Sequence, residues 1–332
     1  MLARIAKRSK AAIIAFKIYK NSQLKRAAAR GVVETLHGAT HRHKSLADSL
    51  NYINAQFDDY LRYGELALEQ LRGLRVFELG FGDNVGVALK FLAAGAARVV
   101  CLDKFYSTRD VEHQRKIYLA LRETLPYEQQ RRFDVAIDLT SGVELNPEKL
   151  KCIYGSGVTH AAELPESEPF NLAVSRAALE EVYDPGPAVE AIDRLLASDG
   201  LMLHKIDLSD YGMFSSNGMN PLTFLTIAEP VYRLMAADSG LPNRKLKSYY
   251  HQKLAGLGYD VKTLITGVIG NGGNGDLHPH REVITQGVEY TDLHLNYIRE
   301  VRPSLAAEFR NLPVEDLLVD GIFVVARKCK RF

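Results

Sequence analysis

The residues best placed to do chemistry lie in Val76-Phe-Glu-Leu-Gly-Phe-Gly-Asp-Asn-Val-Gly86. An acid, Glu78, stands two residues before Gly80, and Gly82 follows at once. Glycines at this spacing suit a tight turn out of a strand. The helix that opens after them offers free backbone N–H groups to a ligand. Asp103 ends the next apolar run, 21 residues after Gly82. A carboxylate there can accept both hydroxyls of a ribose. Glycine loop and acid together predict an adenosine-type ligand.

Two ligands compete for such a loop. A dinucleotide sets its pyrophosphate on the helix N-terminus, where a neighbouring acid repels it. Here Glu78 and Asp83 flank the turn, and the third glycine stands at 86, outside the G-x-G-x-x-G spacing. Acids suit a ligand with a positive centre. S-adenosyl-L-methionine carries an ammonium group, a sulfonium and no phosphate, so the charges favour it over NAD.

The elements that must hold these residues read as alternating strands and helices. Strands are predicted over 75–79, 98–102, 152–154, 172–174, 200–206, 259–265 and 321–326. Helices are predicted over 45–72, 85–94, 110–125, 177–182, 187–197 and 249–257, with more helix across 290–318. Apolar strands in this alternation mean a parallel sheet covered on both faces. Ligands of such sheets bind beyond the carboxyl ends of the strands.

The chain has 332 residues, 46% hydrophobic and 25% charged, enough for a sizeable core and too apolar for disorder. Its three cysteines make no disulfide framework. No apolar run reaches the roughly 20 residues of a membrane-spanning helix. The net charge of +2 hides an asymmetry: residues 1–44 hold eleven Lys or Arg and one acid, and the rest holds 31 bases and 39 acids. At 100° per residue Leu2, Ile5, Ala6, Ala12, Ile13 and Phe16 share one face of this arm, and Arg4, Lys7, Arg8, Lys10 and Lys17 the other. Two readings stand. Residues 1–30 lie on an anionic membrane surface, or the helix docks on its own body or on a sister copy in a homo-oligomer. A nucleic-acid protein would be basic over its folded body, so nucleic acid is not an expected partner.

With these residues in place the chain resembles the class I S-adenosylmethionine-dependent methyltransferases. Glu78-x-Gly80-x-Gly82 is similar to that family's first motif, with Asn84 where many members have a third glycine. Asn tolerates left-handed backbone. Asp103 matches the ribose-binding acid, while the Asp that usually meets the adenine amine is not evident in 157–165. Asn171-Leu-Ala-Val-Ser-Arg-Ala-Ala-Leu-Glu-Glu-Val182 and Leu195-Leu-Ala-Ser-Asp-Gly-Leu-Met-Leu-His204 resemble the fourth-strand motif and the approach to the fifth. The resemblance covers about residues 70–208. It implies a Rossmann-like α/β fold with a seven-stranded, mostly parallel sheet. A basic arm (1–44) and a helical lead-in (45–72) precede a catalytic domain (73–332) with cap insertions at about 211–257 and 270–318. It implies cofactor contacts at Glu78, Gly80, Phe81, Gly82, Asn84, Asp103, Lys104, Ser175 and Tyr63. More narrowly, 82–89 and 101–105 look like a bacterial subgroup associated with surface-glycan and polysaccharide assembly.

Methyl transfer to an alcohol needs alignment and a base. Leu201-Met-Leu-His-Lys-Ile-Asp-Leu-Ser-Asp210 offers three candidates. Asp207 sits at the predicted strand mouth and is favoured as base. His204 is a catalytic group or a packed core histidine. Asp210 meets substrate or caps a turn. Arg176 is a candidate for substrate. Glu180 and Glu181 read as surface acids on a helix. His278 and His280 lie in a glycine-rich loop that could touch substrate. They, and His37, His41 and His43, lack a ligand set at metal spacing, so no metal is expected. The expected reaction is O-methylation of a sugar hydroxyl of a cell-surface or lipid-linked glycan, by a cytoplasmic enzyme, acting at the inner face of the membrane if the arm meets lipid. The rivals are a natural-product, lipid or protein acceptor, and a non-catalytic cofactor-binding scaffold.

Overall fold

The structure is a computed structural model. It describes residues 9–35, 38, 40–164, 166–269, 284–285 and 290–329. In chain order its main elements are α1 (Lys10–Ala28), β1 (Val33–Thr35), α2 (Leu46–Gly64), β2 (Arg75–Leu79), α3 (Gly86–Ala94), β3 (Arg98–Asp103), β4 (Phe105–Ser107), α4 (Val111–Glu123) and α5 (Tyr127–Ala136). Then come β5 (Leu150–Tyr154), β6 (Phe170–Arg176), α6 (Pro185–Leu195), β7 (Leu196–Asp207), α7 (Glu229–Ala236), α8 (Lys247–Gly256), β8 (Tyr259–Val268), β9 (Ile284–Thr285), α9 (Asp292–Val301), α10 (Val314–Leu318) and β10 (Val319–Lys328).

The sheet runs in the order β9-β8-β10-β7-β6-β2-β3-β5. β2 pairs in parallel with β3 and β6, and β3 with β5, while β8 and β9 are antiparallel. This is the Rossmann-like α/β fold, with all seven expected strands and a two-residue eighth. It departs from the dinucleotide-binding order, because the last strand, β10, inserts between β7 and β8.

The chain gathers into two compact units. One comprises Gly31–Arg176, Pro187–His204 and Val325–Phe332; the other comprises Met1–Arg30, Ala177–Gly186 and Lys205–Val324. In the first unit β2 and β3 are apolar on both faces, and Val76, Phe77, Val99 and Val100 are fully buried, as a covered parallel sheet requires. Gly95 ends α3 in the left-handed region at φ 110°, the usual glycine stop. Ser45 caps α2 by accepting from the Asp48 amide at 3.1 Å. That helix buries Ile53, Phe57, Tyr60 and Tyr63 at three- and four-residue spacing. β1 pairs in parallel with β4, so residues 33–35 are ordered strand rather than arm. α5 escapes the sequence reading because only Phe133 and Ala136 of it are buried.

In the second unit α1 packs on α7. Its inward stripe is not the expected one. Ile13 and Asn21 are buried, and Asn21 accepts from the Asp238 amide at 2.8 Å. Lys10 Nζ reaches Thr226, and burial lowers the pKa of Lys17 while Asp210 raises it. Phe16, expected on the apolar face, is 55% exposed. Paired polar side chains, not only apolar ones, set which side of the helix turns inward. No helix among the described residues is long and apolar enough to cross a membrane.

Candidate functional site

Gly80 and Gly82 both take positive φ, 74° and 62°, as the tight turn demands. A Cβ on Gly82 would meet the Gly38 carbonyl oxygen at 2.6 Å. Asp103 reaches this turn from the end of β3. Its Oδ2 accepts from the Gly82 amide at 3.1 Å and its Oδ1 from the Phe105 amide at 3.0 Å. Burial raises its pKa; those amides and Arg109 oppose the rise. The two motif elements paired by spacing are therefore joined directly.

Glu78 is buried at the end of β2, with the Cys101 thiol 3.5 Å from its Oε2. Burial pushes its pKa up to about 7 against the thiol's hydrogen bond. Asp83 behaves differently from expectation. Its carboxylate accepts the amides of His41 (3.0 Å) and Arg42 (3.0 Å). It caps the short turn at His41–His43, a structural task in addition to the one weighed for it against pyrophosphate.

Asn84 also has another reason than the one expected. It is not among the residues at positive φ. Its Oδ1 accepts the Gly86 amide at 2.7 Å, an Asx turn just before α3, a role Asn fills well. Its Nδ2 is buried with no partner among the described residues.

Sequence reading missed Arg109. Its guanidinium lies over Phe81, Tyr106 and Tyr154, 5.1–5.6 Å from the ring centroids. It donates to the Gly82 carbonyl at 3.2 Å and to the Tyr154 hydroxyl, while its buried Nε has no partner among the described residues. Phe81 and Tyr154 rings stand 5.2 Å apart. Lys104 is exposed, over Phe105. An Arg after the second strand has no spacing signal; only folding stacks it on rings from three elements.

Ser175 and His204 form a buried pair, with Ser175 Oγ and His204 Nδ1 2.8 Å apart. Burial lowers the pKa of His204 to about 3. Arg176 is not solvated: it binds Asp59 at 3.1 Å and lies over Tyr52. Tyr63 is buried on α2 beneath Arg62.

In the unit that holds β8, the second surprise is Glu180. Ala177 at φ 50° breaks the chain after β6, so the predicted helix 177–182 shrinks to a turn at Leu179–Glu181. Glu180 is 1% exposed, not a surface acid. Its Oε1 accepts the Asp207 amide and the Tyr211 hydroxyl, both at 2.9 Å. Burial, then the Asp207 charge, pushes its pKa up to about 7. Asp207 itself ends β7, half-buried, and accepts the Ser209 amide at 2.8 Å. Asp210 accepts three amides, from Gly212, Phe214 and Ser215, and the Ser215 hydroxyl. It organises its loop, the turn-capping alternative. A cavity of about 200 Å³ adjoins this loop, lined by Leu208, Asp210, Phe224, Leu246 and Asp316 among others. His278 and His280 lie outside the described residues, as does His37.

No protein-family model matches the chain, and no curated protein matches it. Solved structures do. A phosphoethanolamine N-methyltransferase 2 of Haemonchus contortus, in complex with S-adenosyl-L-methionine, is 12% identical over 83% of this chain and 52% of its own, at TM-score 0.41. The plantazolicin methyltransferase BamL, in complex with a triazolic desmethylPZN analog and S-adenosylhomocysteine (SAH), is 9% identical over the whole of both chains, at TM-score 0.39. The YcgJ protein of Bacillus subtilis is 12% identical over 82% of this chain and 98% of its own, at TM-score 0.39.

Proposed function

We propose that this protein is an S-adenosyl-L-methionine-dependent methyltransferase that O-methylates a sugar hydroxyl of a cell-surface or lipid-linked glycan. The observation that carries the cofactor reading is the 3.1 Å bond between the Asp103 carboxylate and the Gly82 amide. It joins Asp103, the acid read as the ribose binder, to a turn whose positive φ favours glycine, which supports that reading. The insertion of β10 between β7 and β8 adds support, since it breaks the dinucleotide-binding order.

The residues present fit this cofactor. Its amino-acid end needs both donors and acceptors. Asn84 Nδ2 and Arg109 Nε are buried donors without partners among the described residues, and Glu78 and Asp103 supply the acids. Gly80, Phe81 and Gly82 would form the turn beneath it, with Lys104, Ser175 and Tyr63 as further contacts. When bound, the cofactor supplies an electrophilic methyl on a leaving group already made.

The protein's share is alignment and a base. We assign the base to the acidic end of β7, where Asp207 stands. The low pKa and full burial of His204 leave it neutral and packed. Arg176, His278 and His280 remain the proposed acceptor contacts, and Asp210 is left to its loop. The glycan acceptor rests on the resemblance of 82–89 and 101–105 and on the basic arm. Residues 10–28 hold no acid, and Phe16 and Tyr19 are exposed there, which suits contact with an anionic membrane.

The test is calorimetric titration with SAH, with NADH in parallel and Asp103→Ala as control. Micromolar binding of SAH alone, lost in the control, is expected. Preference for NADH would overturn the cofactor. Tritium transfer from labelled cofactor to a lipid-linked glycan fraction then tests the acceptor, and labelling confined to protein or small metabolites would overturn it.

A further inference from the structure

Three side chains able to exchange protons or electrons stand in one row across the sheet. Glu78 of β2 is the register partner of Cys101 in β3, and Cys101 is the partner of Cys152 in β5. Register partners on neighbouring parallel strands point to the same face, about 4.8 Å apart. The row is close-knit. Cys101 Sγ lies 3.5 Å from Glu78 Oε2, and the two thiols are within hydrogen-bonding reach of each other. A disulfide needs Cα atoms roughly 4.4–6.8 Å apart, which neighbouring strands already provide. Among the described residues no group of three or more His, Cys, Asp or Glu is gathered as a metal ion needs, so the row is not a metal centre.

Exposure differs along the row. Glu78 and Cys101 are buried, Cys101 completely. Cys152 is half-buried, on the outermost strand of the sheet among the described residues. One thiol can therefore meet a reagent from solvent, while the other meets only its neighbours. Burial pushes the Cys101 thiol well above its ordinary pKa, and Cys152 and Glu78 add to the rise. It does not ionise unaided near neutral pH, but Glu78 Oε2 is in place to take its proton.

We infer that Cys101 and Cys152 are an oxidisable pair, closed to a disulfide by a small-molecule disulfide such as oxidised glutathione, with Glu78 as the base for the buried thiol. The Cys152 thiolate attacks one sulfur of the reagent. The reagent's S–S bond breaks, and its other half leaves as a thiolate that takes up the proton Cys152 released. The Cys101 thiol then gives its proton to Glu78 Oε2 as its sulfur attacks Cys152 Sγ. The mixed S–S bond breaks, the second small thiolate leaves, and the proton held by Glu78 returns to it through solvent. Two protein thiols are oxidised to one disulfide, and one small disulfide is reduced to two thiols.

The bridge acts on the glycine turn through Glu78. The thiol's hydrogen bond holds the Glu78 pKa down against burial, and oxidation removes that hydrogen. Glu78 then keeps its proton at neutral pH and loses the charge that suits a ligand with a positive centre. Two residues further along the same strands, and on the same face, stand Asp103 and Tyr154, so the bridge also ties the strand ends beside the turn. This consequence rests on the methyl-donor reading; the bridge itself does not.

The experiment exposes folded wild type to oxidised glutathione, traps the remaining thiols and maps the peptides without reduction. The expected product is one peptide pair joined through Cys101 and Cys152, lighter by two hydrogens and reopened by dithiothreitol. Free thiols at both positions, or glutathione left on Cys152 with no bridge, overturn the proposal. Glu78→Gln should close at least about tenfold more slowly, with the mixed disulfide accumulating. Closure at the wild-type rate removes Glu78 as the base. SAH titration of the same samples reads the coupling. Affinity should fall about tenfold on oxidation of wild type and stay unchanged in Cys152→Ser. Equal affinity in bridged and reduced wild type overturns the coupling. A bridge that forms in a protein binding no SAH in either state overturns the methyl-donor reading and leaves the oxidisable pair standing.

Discussion

Ser175 Oγ and His204 Nδ1 lie 2.8 Å apart in a fully buried setting, joining the ends of two neighbouring strands. A serine and histidine so placed look reactive, yet this histidine is built to stay neutral. Its pKa is lowered to about 3 by burial alone.

That shift fixes a stability trend. The unfolded chain binds a proton at this histidine below about pH 6.5, and the folded chain does not until about pH 3. Stability should therefore fall as pH drops from 6.5 towards 3, by on the order of a few kcal/mol. His204→Asn keeps an acceptor near Nδ1 for Ser175 and removes the titration. Its urea-unfolding free energy should vary less over this range than that of wild type. Its methyl-transfer rate, if His204 is no base, should keep the wild-type pH profile.

Asp83 provides a second separation of structure from ligand binding. Its carboxylate caps two amides of the turn at His41–His43. Asp83→Ala removes both bonds and should cost about 1–3 kcal/mol. Both amides meet Oδ2, so Asp83→Asn can keep the oxygen they share and should cost less. Neither charge loss should alter SAH affinity more than about twofold beyond its effect on stability, because the acid is turned towards those amides. A large loss of affinity in Asp83→Asn would return Asp83 to the ligand site.

The strands were legible because their signal is local. Arg75–Leu79 is observed at the expected bounds, and the others are expected runs lengthened by a few residues. The glycine turn and Asp103 were legible because a fixed backbone motif dictates residue types at fixed spacing. Glu180 was not. Its sequence neighbours suggest a helix, and only Ala177 at positive φ and Asn243, some sixty residues on, turn it inward. Arg109 escaped for the same reason, since its aromatic partners come from separate elements. The face of α1 was misjudged because Lys10 and Asn21 find polar partners at Thr226 and Asp238. An apolar moment cannot register such partners.

Glu78 should oppose His204 in the pH dependence of stability. Its folded pKa is about 7 against an ordinary 4.5, raised by burial. The folded chain holds a proton there that the unfolded chain has released between these values. The contribution is thus fully present below about pH 4.5 and lost as pH rises through 7. Glu78→Gln cannot ionise. It should be more stable than wild type at pH 8, by up to a few kcal/mol, and no more stable at pH 4.5. Glu180, raised to about 7 by burial and the Asp207 charge, shares that window, so Glu78→Gln should keep part of the trend. SAH affinity should fall about tenfold with the loss of the acid. Unfolding curves at the two pH values and one titration check all of this.

Gly82 and Asp103 allow the turn and the ribose contact to be taken apart. Gly82→Ala places a Cβ 2.6 Å from the Gly38 oxygen at φ 62°. It should cost about 1–3 kcal/mol and weaken SAH through the distorted turn. Asp103→Ala frees the Gly82 and Phe105 amides together, so stability and affinity should fall together. Asp103→Asn retains one oxygen for those amides but loses the charge that holds a diol. It should lose less stability than Asp103→Ala, one bond rather than two, while SAH affinity falls about 10–100-fold. Equal losses of stability and affinity in Asp103→Asn would mean that Asp103 serves only the turn. The ribose assignment would then have to move to another residue.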